Sequence, residues 1–140
     1  MAYREKLAAV NLAVMVLVYA VYFTLVATRP PVSRLVDLLW LFGIAVPVHA
    51  LLVGLGTFLI RIPSWKEGAA PADERDRAIA RRGRSIAYLV LLAEMILVGV
   101  VMPFSKPPGT IVNTTLLAIV IAELTHQGVV LLSYRKGWHG

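Results

Sequence analysis

A chain of 140 residues with 59% hydrophobic side chains, a mean hydropathy of +0.76 and 16% charged residues is too apolar for a soluble domain, in which about a quarter of residues are charged. Its formal charge of +6 is confined to short segments between long apolar runs, which excludes the continuous basic face of a nucleic-acid-binding domain. With no cysteine, it cannot hold a disulfide, a thiolate zinc site or an iron–sulfur cluster, and it has no cysteine nucleophile.

Four apolar stretches, residues 7–28, 35–60, 85–104 and 111–134, each reach the roughly 20 residues that cross a ~30 Å hydrocarbon core. Runs such as LLVGLGTFLI do not alternate in polarity, so membrane strands are excluded. The expected fold is all-α: an integral-membrane, up-down four-helix bundle in one domain.

The first stretch follows Arg4 and Lys6. It exceeds the 7–15-residue core of a signal peptide and no A-x-A site follows it, so a retained helix is expected. On it Asn11 shares a face with Met15, Val18 and Tyr22. The connection TRPPVSR contains a Pro-Pro pair that cannot continue a helix, which makes helices 1 and 2 antiparallel neighbours. On helix 2, His49 shares a face with Phe42, Ala45 and Gly56. It follows Pro47, whose missing N–H frees the Gly43 carbonyl and predicts a kink. Gly54 and Gly56, in an apolar helix, indicate close packing.

The segment IPSWKEGAAP reads as a loose linker. Asp73 then supplies an N-cap, with Glu74 and Asp76 in the first turn and Asp73–Arg77 as an i,i+4 pair. Nothing halts the helix before residue 104, so helix 3 is expected over 73–104, with 73–84 projecting into the cytoplasm. Arg81, Arg82 and Arg84 then lie at the phosphate level, where they anchor headgroups and set topology. Together with Asp73, Glu74 and Arg77 they also form a candidate surface for lipid or a protein partner. Glu94 lies on a stripe with Gly83, Ala87, Val98 and Val101, small or β-branched residues suited to a helix seam.

The connection SKPPGT, again with paired prolines, precedes helix 4, whose start Asn113 and Thr114 are expected to cap. The same tripeptide, Asn113-Thr114-Thr115, matches a glycosylation acceptor but abuts the helix too closely for use. On helix 4, Glu123, His126 and Gln127 occupy an arc of about 100° on the stripe of Leu116, Ile119 and Val130.

Eleven of the fourteen Lys and Arg residues fall at the two ends and in the middle loop, and three fall in the other connections. The positive-inside rule therefore predicts both termini in the cytoplasm.

His49, Glu94, Glu123 and His126 are ionisable residues inside apolar runs, expected within roughly 6 Å of one depth. Such residues usually face a bundle interior. With Gln127 they form a candidate polar cluster open to three readings. Interhelical hydrogen bonds are the structural one. Proton-coupled transport through Glu94 or Glu123 is the second. Four helices and this length resemble the small multidrug-resistance transporters, which act as dimers, but those carry the essential carboxylate on helix 1, where this chain has none within the membrane. A cofactor is the third: His49 and His126 as axial ligands of a b-type haem, or Glu123-Leu-Thr-His126, an E-x-x-H spacing that needs a homodimer to complete a two-metal site. The expectation is no resident metal or cofactor. His139 reads as a solvated end residue. No G-x-S-x-G, P-loop, dinucleotide fingerprint or H-E-x-x-H is present, so no enzyme is expected.

Two stretches, Asp73-Glu74-Arg75-Asp76-Arg77 leading through Arg81 and Arg84 to Tyr88, and Ala122-Glu123-Leu-Thr-His-Gln-Gly128 followed by Tyr134-Arg135-Lys136-Gly137, resemble small bacterial inner-membrane proteins of unknown function. In those a D-E-R-D-type run enters the third of four helices and a Y-R-R-G-type run closes the fourth. The likeness covers the C-terminal half. It implies a bacterial inner membrane and an accessory or regulatory role beside a cytoplasmic regulator; the expected partners are the lipid bilayer and a cytoplasmic or membrane protein. It assigns no role to Glu94, Glu123 or His126. A homodimer is compatible with it, and nucleic acid is not an expected partner.

Overall fold

A computed structural model describes residues 3–29, 34–64 and 73–137. Helices α1 (Tyr3–Thr28), α2 (Leu35–Ser64), α3 (Glu74–Ile96) and α4 (Pro108–Arg135) account for nearly all of them, and no strand occurs among the described residues. Each helical rod is long and apolar enough to cross a membrane, so the chain is an all-α, multi-pass membrane protein. Large apolar side chains such as Trp40, Phe58 and Phe104 stand exposed. In water that would drive association; against acyl chains it is the solvated state.

The helices form two hairpins, α1–α2 and α3–α4, joined by packing of α1 on α4. Across the section their order is α2, α1, α4, α3, with α2 reaching α4 only lightly and, among the described residues, no Cα of α2 within 8 Å of one in α3. The bundle is therefore open along its α2–α3 side. Its centre is Met15, Tyr19 and Val120, surrounded by Phe23, Phe42, Ala45 and Leu124. Tyr22 meets Phe23 and Phe42 edge-on at ring separations of 4.8 and 5.3 Å, the geometry that ring quadrupoles favour. The expected inward faces of α1 and α2 are thus the packed ones, and Met15, Val18 and Tyr22 are all buried.

Two glycines set the helix separations. A Cβ on Gly56 would lie 2.6 Å from Val10 Cγ1, and one on Gly83 would lie 2.7 Å from His126 Cδ2 and 2.9 Å from Val130 Cγ2. Gly54 has open space around its missing side chain, so close packing is a property of Gly56 alone in that pair.

Several boundaries differ from expectation. α2 runs on to Ser64, making Ile62, Pro63 and Ser64 helical rather than linker; the remainder of that linker, Lys66 included, lies outside the described residues, as does His139. Residues 97–104 are not α-helical: α3 passes into a π turn over Leu97–Val101 and a 3-10 turn over Met102–Phe104. Pro103 is the cause, because it brings no N–H and its ring crowds the carbonyl four residues earlier. The wider turn also breaks the 100° register, so Val101 is exposed while Val98 stays in the seam. α4 starts at Pro108 with Pro107 in extended conformation before it and no side-chain cap. A proline at the first helical position needs no N–H partner, and Asn113 and Thr114 consequently lie inside the helix. α2 continues through Pro47.

Candidate functional site

Between α2 and α3, over a floor of α1 and α4, lies a cleft of about 490 Å³. Its polar lining comes from every helix: Asn11 and Tyr19 of α1, His49 of α2, Arg84 and Tyr88 of α3, and Glu123 and His126 of α4. Its apolar walls include Met15, Phe42 and Val120. Sequence periodicity placed His49, Glu123 and His126 on inward faces, and the structure brings those three to one space.

The α4 group is built by helical spacing. Gln127 Nε2 donates to Glu123 Oε1 at 2.9 Å, and His126 Nδ1 stands 3.4 Å from the same oxygen. These are i,i+4 and i,i+3 pairs, the separations at which helical side chains meet. The side chain of Glu123 nevertheless keeps 46% of its surface, against 22% for His126. No Lys or Arg nitrogen forms an ion pair with it among the described residues. His49 packs edge-on against Tyr19 at 5.5 Å between ring centres, and its Nε2 is buried without a protein hydrogen-bond partner.

Glu94 does not join this group. It shares the α4-facing stripe with Gly83, which packs between His126 and Val130. Eleven residues further along the antiparallel α3, Glu94 stands level with about residue 117 of α4, roughly 9 Å from the level of Glu123. The Gly83 contact sets how α3 slides along α4 and so places Glu94 away from the cleft lining. Glu94 Oε2 is buried there without a protein partner. Among the described residues of this single chain no group of three or more His, Cys, Asp and Glu is placed to hold a metal ion; the two-metal reading needs a second copy to complete it.

A second cavity, of about 300 Å³, opens at the basic end and shares Asn11 and His126 with the cleft. Its polar lining continues through Thr57 and Gln127 to Arg4, Asp76 and Tyr134. The two cavities place polar groups along α1 and α4 from the basic end to the level of Glu123.

Asp76 organises that end. Its carboxylate accepts from Arg4 Nε of α1 at 2.6 Å and from the Tyr134 hydroxyl of α4 at 2.7 Å. It also completes a capping box: the Asp76 amide donates to Asp73 Oδ1 at 2.7 Å, and Asp76 Oδ2 accepts from the Asp73 amide at 3.3 Å. One residue thus starts α3 and ties it to α1 and α4. A weaker pair, Arg135 with Glu5 at 3.7 Å, joins α1 and α4 nearby. The expected Asp73–Arg77 ion pair is absent; Asp73 serves the cap, and Arg77 gives the Asp73 carbonyl only its backbone N–H. Sequence reading saw Asp76 only as a first-turn acid. Its partners are 72 and 58 positions away, and no local signal marks such a junction.

Asp73, Glu74, Arg77, Arg81, Arg82 and Arg84 are all exposed, as expected of a surface set. Arg84 in addition donates from Nε to the Ala80 carbonyl at 3.3 Å and reaches the cleft. Compared with family models, curated proteins and solved structures, the chain matches none.

Proposed function

We propose that this chain is a non-enzymatic accessory or regulatory protein of a bacterial inner membrane, with both termini in the cytoplasm, that presents the start of α3 to a protein partner. The supporting observation is the Asp76 junction. From Glu74 to Phe104 the third rod has 31 residues, about 46 Å, so roughly ten residues exceed a ~30 Å core. A projecting helix end held only by its own hydrogen bonds would fray. Here the capping box, Arg4 and Tyr134 clamp it, leaving Glu74, Arg77 and Arg81 exposed on a stiff post. Pre-organisation of that kind lowers the ordering cost of binding.

The test combines topology and contact. Because the chain has no cysteine, single cysteines can be placed at will: Lys106→Cys should react with a membrane-impermeant maleimide in intact cells, and Glu74→Cys only after permeabilisation. A photo-crosslinker at position 81 should then capture one defined protein, and charge reversal at Arg77 together with a Glu74→Lys change should abolish the product while insertion is unchanged. Crosslinks to lipid alone would reject the accessory reading, and external labelling at position 74 would reject the orientation.

A further inference from the structure

We infer that the cleft between α2 and α3 is a binding site for a lipophilic organic cation, with Glu123 as its counter-ion. This is independent of the partner surface just described.

An ionised carboxylate at mid-span is costly unless it is paired. Glu123 has Gln127, a neutral donor, and the more distant His126 Nδ1, both on Oε1; no partner is assigned to Oε2, and nearly half of the side chain stands open. A cation entering the cleft supplies the missing charge. The surroundings suit an organic cation rather than a metal ion, because no second carboxylate lines the cleft and hard ions require several oxygen ligands. Tyr19, Phe42 and Tyr88 bring aromatic rings to the lining, which attract diffuse positive charge. Volume agrees: about 490 Å³ lies within the ~300–1,000 Å³ of small-molecule sites.

The open side sets the route. Because no Cα of α2 comes within 8 Å of one in α3, close helix packing does not seal the cleft on that side, and an apolar cation dissolved among the acyl chains reaches Glu123 without crossing the charged end. Arg84 lies about one helical turn nearer the basic end than Glu123 and opposes a cation there, favouring occupancy at the Glu123 level.

The groups facing Glu123 are Tyr19 from α1, His49 from α2, Arg84 and Tyr88 from α3, and His126 from α4.

The full chain in nanodiscs is titrated with tetraphenylphosphonium and, in parallel, with tetraphenylborate, an anion of the same shape. Saturable binding of the cation only is expected, weakened by at least about tenfold in Glu123→Gln. Glu94→Gln, outside the cleft, should bind as the unaltered chain does, and Glu123→Asp should recover part of the loss. Equal uptake of both ions, or no saturable uptake of either, overturns the proposal on the unaltered protein alone. So does undiminished cation binding in Glu123→Gln.

Discussion

Replacing Gly83 by Ala is expected to destabilise the protein by up to about 2 kcal/mol, although alanine is the better helix former. In a helix interior the exchange gains about 0.8–1 kcal/mol of propensity. Against that, the new methyl would meet His126 Cδ2 at 2.7 Å, Val130 Cγ2 at 2.9 Å and the His126 carbonyl oxygen at 3.2 Å. The last is backbone and cannot rotate away, so α3 and α4 must separate, and overpacking of this kind costs about 1–3 kcal/mol. Gly56→Ala is the control. It meets only the end of the Val10 side chain, at 2.6 Å, and its steric cost should nearly cancel its propensity gain. Denaturant unfolding in micelles would compare the two. Equal effects would mean that the Gly83 seam is not what sets the α3–α4 distance. His126→Ala should relieve part of the Gly83→Ala penalty, because it removes the closest obstacle.

Asp76→Ala is expected to have a larger effect, about 2–4 kcal/mol. It removes a hydrogen bond from Tyr134 to a charged acceptor, worth about 1.5–3 kcal/mol, and half of a capping box, with caps worth about 1 kcal/mol. The Arg4 pair adds less, because the Arg4 side chain keeps 38% of its surface and exposed pairs contribute about 0–1 kcal/mol. Tyr134→Phe alone should cost less than Asp76→Ala, and the double variant should show strong coupling in a double-mutant cycle. Hydrogen exchange at the start of α3 gives a second readout: Asp76→Ala should release residues 74–80 while the mid-span amides remain protected. Uniform loss of protection along α3 would instead make the junction part of the global fold rather than a clamp on the post.

These two sites differ in how far they were legible in the sequence. Gly83 was visible as a small residue on the Glu94 stripe, because helical period alone shows which residues share a face. Which partner it met was not visible. Asp76 was visible as an N-terminal acid, and its cap role follows from local chemistry, but Arg4 and Tyr134 come to it only through the sideways order of the helices. The polar cluster divides the same way. Glu123, His126 and Gln127 lie within one turn and a half of a single helix, so their association was readable. His49 reached the same space because its face of α2 packs on α1, as its neighbours Phe42 and Ala45 indicated. Glu94 lies outside the cleft lining; the axial offset between two helices depends on where side chains interlock, and no periodicity within one helix encodes it. The π turn before Pro103 was missed for a related reason. The proline was plain, but whether a helix breaks or widens ahead of it depends on the packing around it.

The chain is apolar and carries a formal charge of +6. By itself the sequence determined that the chain crosses a membrane, that it does so with four helices, and which face of each helix is polar. Those properties follow from hydropathy, from the backbone hydrogen bonding that hydrocarbon imposes, and from a fixed helical period. The tertiary structure alone decided that α2 and α3 stay apart, that a cleft opens between them at the level of Glu123, and that Asp76 binds three helices together. In lipid no hydrophobic force draws one apolar helix to another. Contacts are therefore chosen by shape, at Gly56 and Gly83, and by polar pairing, at Asp76, and shape and pairing exist only once the helices are assembled.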